Sequence, residues 1–224
     1  MNNNLNLDIL NKNDKASGSF LHQYEERWKK YFVPSVASML KTPFFVSLLT
    51  WSSFLWSFLI VLFFYLSKIS ISYLWLIFPL IIFQYITDTL DGAVGRHNRT
   101  GLIRWGYYTD HFLDFVFMSS IVLGYGILFG FDLWLFLIFI SICGFMISIF
   151  LAVSTENDFD ISFWGIGPTE GRILVMIFHF FVIHYGSVFV LGASPFLATT
   201  SLVLLSVVFW KKQKKLWKLD LEKR

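Results

Sequence analysis

Four of the chain's ten aspartates lie between positions 88 and 114, in the run DTLDGAVGRHNRTGLIRWGYYTDHFLD, which joins two segments apolar enough to span a bilayer. A charged side chain at membrane depth costs about 3 kcal/mol on insertion scales, so four carboxylates there demand a hydrated pocket and compensating cations. Asp88 and Asp91 are spaced i,i+3 at the end of one predicted helix, and Asp110 and Asp114 are spaced i,i+4 at the start of the next. Each pair shares a helix face, so two helices can aim all four carboxylates at one point. Ligand sets made of carboxylate oxygens suit hard divalent cations such as Mg2+ or Mn2+. Gly92 directly follows Asp91, and Gly106 lies one turn before Asp110. Both remove a side chain where backbone approaches a ligand. Arg96 adds a planar fork for phosphate. Together these residues describe a site for a metal-bound diphosphate.

The elements that must position them are membrane helices. With 56% hydrophobic residues and 27 phenylalanines in 224 positions, the chain is too apolar for a soluble domain of its size. Stretches able to cross about 30 Å of hydrocarbon run over 44–66, 73–94, 106–129, 131–153, 170–190 and 193–210. The expected fold is therefore an all-α membrane protein of six spans. The polar first residues lack the apolar core of a signal peptide, so the first long apolar stretch is expected to remain as a span. Seventeen of the 18 Lys and Arg residues fall on one side, all but Lys68. The positive-inside rule makes that side cytoplasmic, with both termini and the aspartates. The net charge of +3 then reads as membrane topology and contact with anionic lipid, with no nucleic-acid partner.

Residues 1–19 read as a disordered tail. From 20 to 43, Phe20, Tyr24, Trp28 and Tyr31/Phe32 recur at helical spacing up to Pro34, which predicts an amphipathic interfacial helix. The catalytic membrane domain spans 44–210, and 211–224 form a basic tail beginning KKQKK. Cys143 is the single cysteine and excludes a disulfide within the chain.

The aspartate run resembles the signature of the CDP-alcohol phosphotransferase family, DxxDGxxAR, about eight residues, then GxxxDxxxD. The matching positions are Asp88, Asp91, Gly92, Arg96, Gly106, Asp110 and Asp114. Gly95 stands where the family usually has Ala, and nine residues separate Arg96 from Gly106. The resemblance implies a six-span core, usually a homodimer, in which two divalent ions assist transfer of a substituted phosphate from a CDP-linked donor to an alcohol, releasing CMP. Carried over by position, Asp88, Asp91 and Asp110 hold the metals, and Asp114 acts as base or completes the metal site. Asp88, Gly92, Gly95, Arg96 and Gly106 line the CDP pocket.

Two further features resemble the choline and ethanolamine phosphotransferases, which use diacylglycerol as acceptor: His111 directly after Asp110, and GPTEG at 167–171. In that reading His111 competes with Asp114 for the role of base, with Glu156 or Glu170 orienting it. Glu170 has a structural reading too, as part of a helix start. Arg172 can meet lipid phosphate or substrate, although snorkelling toward the headgroups is the favoured reading. His179 and His184, five apart, read as packing residues. Phosphatidyl transfer from CDP-diacylglycerol to a soluble alcohol is the alternative within the family. A divalent-cation transporter is the alternative outside it, and the apolar outer halves of the spans offer it no exit path. A dead scaffold is disfavoured because all the aspartates and glycines are present. Small size and an Asn-, Lys-, Phe- and Ile-rich composition point to a bacterial inner membrane.

Overall fold

A computed structural model describes residues 19–156 and 167–222, all-helical apart from the connections. Helix α1 spans His22–Met39, α2 Pro43–Leu66, and a 3-10 turn over Ile71–Leu76 leads into α3, Ile77–His97; α4 spans Ile103–Phe129, α5 Leu133–Glu156 and α6 Pro168–Glu222. Thr42 caps α2 by accepting from the Phe45 amide, with Pro43 at the first helical position. Asp132 caps α5 through the Leu135 amide. Among the described residues, five helices are long and apolar enough to cross a membrane.

The last of them has 55 residues. At 1.5 Å per residue it would run about 80 Å, far beyond one bilayer. Gly186 interrupts it with φ 60° and ψ −143°, a left-handed backbone open to glycine. The predicted break at 191–192 thus falls earlier. The second limb continues through the lysines to Glu222, so the basic segment extends a helix.

Helix α1 passes through Pro34 and packs Val33 and Ala37 against Val46 of α2 and Leu90 and Val94 of α3. Phe20, Tyr24, Tyr31 and Phe32 face outward, whereas Trp28 turns inward to donate to Tyr85 Oη at 3.2 Å. The side-chain amide of Asn98 donates to the Ala37 and Leu40 carbonyls at 3.1 and 2.7 Å, which satisfies carbonyls at the end of α1. On its inner edge Lys29 loses to partial burial but gains more from Glu25 and Glu26, and its pKa rises. Of the expected disordered tail, residues 1–18 lie outside the described residues, and Ser19 is held by Glu170.

The main core joins Ile60 and Phe64 of α2, Leu74, Ile77, Leu80 and Ile81, Phe117, Ile121 and Tyr125 of α4, and Val182 of α6. Within it Tyr125 Oη donates to His179 Nδ1 at 2.9 Å, and His179 Nε2 donates to the Leu74 carbonyl at 3.0 Å. The carbonyl can only accept, so the hydrogen sits on Nε2 and the ring is a structural staple. Gly124 lets α2 and α4 touch: a Cβ there would lie 1.9 Å from the Phe64 ring. The second limb of α6 packs on α5, where Leu205 sits against Gly144 and Ser201 donates to Ser141.

Candidate active site

Three helix ends meet at the site: the C-terminal part of α3, the N-terminal part of α4 and the start of α6. Helix α3 continues through Gly92, Gly95 and Arg96 to His97, and α4 starts at Ile103, so the expected loop of 95–105 shrinks to 98–102. Thr100 closes it with its amide on the Gly95 carbonyl at 3.1 Å. Arg99 and Gly101 turn the chain with φ of 51° and 74°. Most of the nine residues between Arg96 and Gly106 are thus absorbed by helix ends and this turn.

One carboxylate oxygen from each of Asp88, Asp110 and Asp114 lies within 4.8 Å of the others. Bonds of about 2.1–2.5 Å to hard cations can bridge that spread, and the all-oxygen donor set matches them, so these residues fit a divalent metal. Asp91 is not one of these three residues. It lies about 4.5 Å further along the α3 axis than Asp88, where it is 7% exposed and lines a neighbouring cavity.

That cavity has a volume of about 490 Å³ and is lined by Asp91, Gly92, Gly95, Arg96, Arg99, Thr100, Gly106, Tyr107 and Asp110, with Val46 and Thr50 of α2. Its size suits a nucleotide. Asp110 belongs both to the triad and to this wall. A Cβ on Gly92 would lie 3.2 Å from Arg96 Nη1, so the bare backbone makes room for the guanidinium. At Gly95 an added Cβ meets only ordinary contacts, at 3.6 and 3.7 Å, which explains why alanine is equally suitable. Nothing lies within 4 Å of a Cβ on Gly106; the glycine serves the cavity and not the packing. Replacing Gly106 with leucine should therefore weaken CDP binding about ten-fold or more while thermal unfolding stays near wild type. Calorimetric titration of CDP beside a melting curve checks both halves.

The model of the family described as CDP-alcohol phosphatidyltransferase matches residues 36–211, which contain every residue of the triad and the cavity wall. The chain belongs to the CDP-alcohol phosphatidyltransferase family. No curated protein and no solved structure matches the chain. A CDP-alcohol phosphatidyltransferase is a membrane transferase working on phospholipid head groups through a CDP-alcohol, and the family depends on divalent metal.

Several side chains of this CDP-alcohol phosphatidyltransferase differ from expectation. Arg172 does not snorkel: it is 8% exposed, with Nε donating to Gln84 Oε1 at 2.8 Å and Nη2 meeting Asp88 at 2.7 Å and Asp114 at 3.4 Å. The carboxylates at the start of α4 and the end of α3 provide a stronger partner than the headgroup region. Glu170 is a clasp. It accepts from the Gly167 amide at 2.9 Å, the Glu half of a capping box, and from Ser19 Oγ and the Leu21 amide at 2.6 and 2.7 Å. Thr169 adds a bond to Glu25 at 2.7 Å. GPTEG thus begins α6 and ties α1 to it, and both Glu170 oxygens are engaged away from His111. His111 Nδ1 lies 3.6 Å from Asp110 Oδ2, and its ring packs edge-on to Tyr107 and against Phe150. Glu156 ends α5, and its side chain lies outside the described residues.

Sequence reasoning missed Gln84 and Arg99. Gln84 is fully buried one turn before Asp88, and a glutamine inside an apolar run at i−4 from an aspartate is a legible signal. Arg99 enters the cavity wall only because the turn is short.

Proposed function

We propose that this CDP-alcohol phosphatidyltransferase moves phosphocholine or phosphoethanolamine from a CDP-alcohol to diacylglycerol, releasing CMP. The observation that carries this choice is the engagement of Arg172. A phosphorylated soluble acceptor would call for a basic residue at the cytoplasmic start of α6, and the guanidinium there is already shared among Gln84, Asp88 and Asp114. An uncharged hydroxyl acceptor needs no such cation.

Asp88, Asp110 and Asp114 hold the metal in this reading, as one or two Mg2+ or Mn2+ ions, with Asp91 facing the donor. A divalent metal held there would offset the charge of the diphosphate and stabilise the departing CMP. Arg96 and the bare faces of Gly92, Gly95 and Gly106 receive the CDP. The acceptor oxygen attacks the phosphorus that carries the alcohol, the bond from that phosphorus to the CMP oxygen breaks, and the hydroxyl proton passes to a base. His111 is the base assigned here, positioned by Asp110, because a carboxylate shared between a metal and Arg172 has few lone pairs left for a proton. The chain crosses the membrane six times, the last two spans meeting at Gly186. The aromatic face of α1 lies on the cytoplasmic surface, and two copies pair as family analogy implies. A bacterial inner membrane, with both termini inside, completes the reading.

Purified protein in lipid nanodiscs with Mg2+ tests it by CMP release. Turnover is expected from CDP-choline or CDP-ethanolamine with diacylglycerol. Turnover only from CDP-diacylglycerol with a soluble alcohol would overturn the choice of substrates and leave the family chemistry standing.

A further inference from the structure

The triad already contains a cation. Arg172 Nη2 takes Asp88 Oδ2 at 2.7 Å and Asp114 Oδ1 at 3.4 Å, and these same two residues supply carboxylate oxygens to the triad. The guanidinium is held from behind, since Gln84 Oε1 accepts from Nε at 2.8 Å. Tyr85 and Phe117 place their rings 5.7 and 5.9 Å from Cζ. The orientation of Gln84 follows from this bond: an amide turned the other way would set two donors face to face. Arg172 therefore has a fixed seat, is nearly excluded from solvent, and cannot swing to the headgroups without abandoning five partners.

We infer that Arg172 is a resident counter-ion of the aspartate triad that competes with the divalent metal for Asp88 and Asp114 and so sets how tightly the metal is held. This rests on the reading of the triad as a metal site. A metal ion must share or displace the guanidinium's claim on two carboxylates, and a unit positive charge at contact distance opposes a second cation strongly in a partly buried site. The longer contact to Asp114 yields first, because the Gln84 anchor keeps Nη2 beside Asp88. In return, the arginine screens mutual repulsion among three carboxylates whenever metal is scarce. Weak metal retention and stability without metal thus have one cause.

The test is Mn2+ binding to the full chain in nanodiscs, followed by electron paramagnetic resonance, with thermal unfolding in chelator and in Mg2+ alongside. Arg172→Met should bind Mn2+ about ten-fold tighter or more than wild type. It should also melt lower in chelator and gain more on adding Mg2+. Arg172→Gln, which keeps a polar group in the seat, should shift in the same direction if the methionine variant fails to fold. Arg104→Met removes an exposed charge elsewhere on α4 and should change Mn2+ affinity less than about two-fold. Wild-type binding with unchanged or weaker binding in the Arg172 variants overturns the proposal alone. Absence of Mn2+ binding in wild type and variants alike overturns it together with the metal reading.

Discussion

Asp110→Asn should lower CMP release by about a thousand-fold or more, because it removes the one carboxylate that belongs both to the triad and to the nucleotide cavity. Asparagine keeps the shape and loses the charge, so a steric explanation of the loss is excluded. The fold should survive: removing a negative charge from a cluster of like charges relieves repulsion, and Asp110 remains partly exposed. Asp91→Asn should impair donor binding more than metal binding, since Asp91 lines the cavity outside the triad. Steady-state CMP release at saturating Mg2+, beside a melting curve, measures the effect. An Asp110→Asn enzyme within ten-fold of wild type would remove this residue from the chemistry.

The second large effect concerns the fold. Gly124→Ala would place a methyl carbon 1.9 Å from Phe64 Cδ2, with two more ring atoms at 2.4 and 2.5 Å. Phe64 is fully buried and cannot turn aside, because its ring is edge-on to Tyr125 and His179 at 4.9 and 5.7 Å between centroids. Overpacking of this kind costs about 3 kcal/mol, or more where the ring has no alternative rotamer. Phe64→Ala combined with Gly124→Ala should recover part of that loss, which makes the pair a double-mutant cycle. Detergent-unfolding midpoints of the two single variants and the double variant report it. Additive losses would mean that the helices separate instead of clashing.

The contrast between Gly106 and Gly124 shows how far the residues could be read without a structure. Both are glycines in α4, and only the ligand motif marks Gly106, whereas Gly124 depends on where one phenylalanine of α2 points. The aspartates were legible because helical spacing alone gathers Asp88 with Asp91 and Asp110 with Asp114. Spacing along one helix does not say which of its residues meets the facing helix, and it is Asp88 that joins Asp110 and Asp114 in the triad. Arg172 was misjudged for a related reason: hydropathy registers an arginine near a span end, but not the carboxylates of two other helices waiting opposite it. Glu170 could have been read either way, and the capping geometry decided. The position of the break in α6 was missed because Gly186 lies in a run that hydropathy reads as continuing to position 190, and one glycine's backbone angles leave no mark on hydropathy.

The bonds that complete this site are distant along the chain. Arg172 reaches Asp88 across 84 positions and Asp114 across 58, while Glu170 clasps Leu21 across 149. A chain made from its N-terminus at about 5–20 residues per second exposes α3 and α4 to the translocation machinery for seconds before α6 exists. During that interval the aspartates have entered the bilayer's edge without their arginine, and α1, packed on α2 and α3, still lacks the Glu170 bonds that tie its start to α6. The α3–α4 hairpin must therefore be inserted as an unfinished intermediate, and the birth of α6 is the event that closes the enzyme.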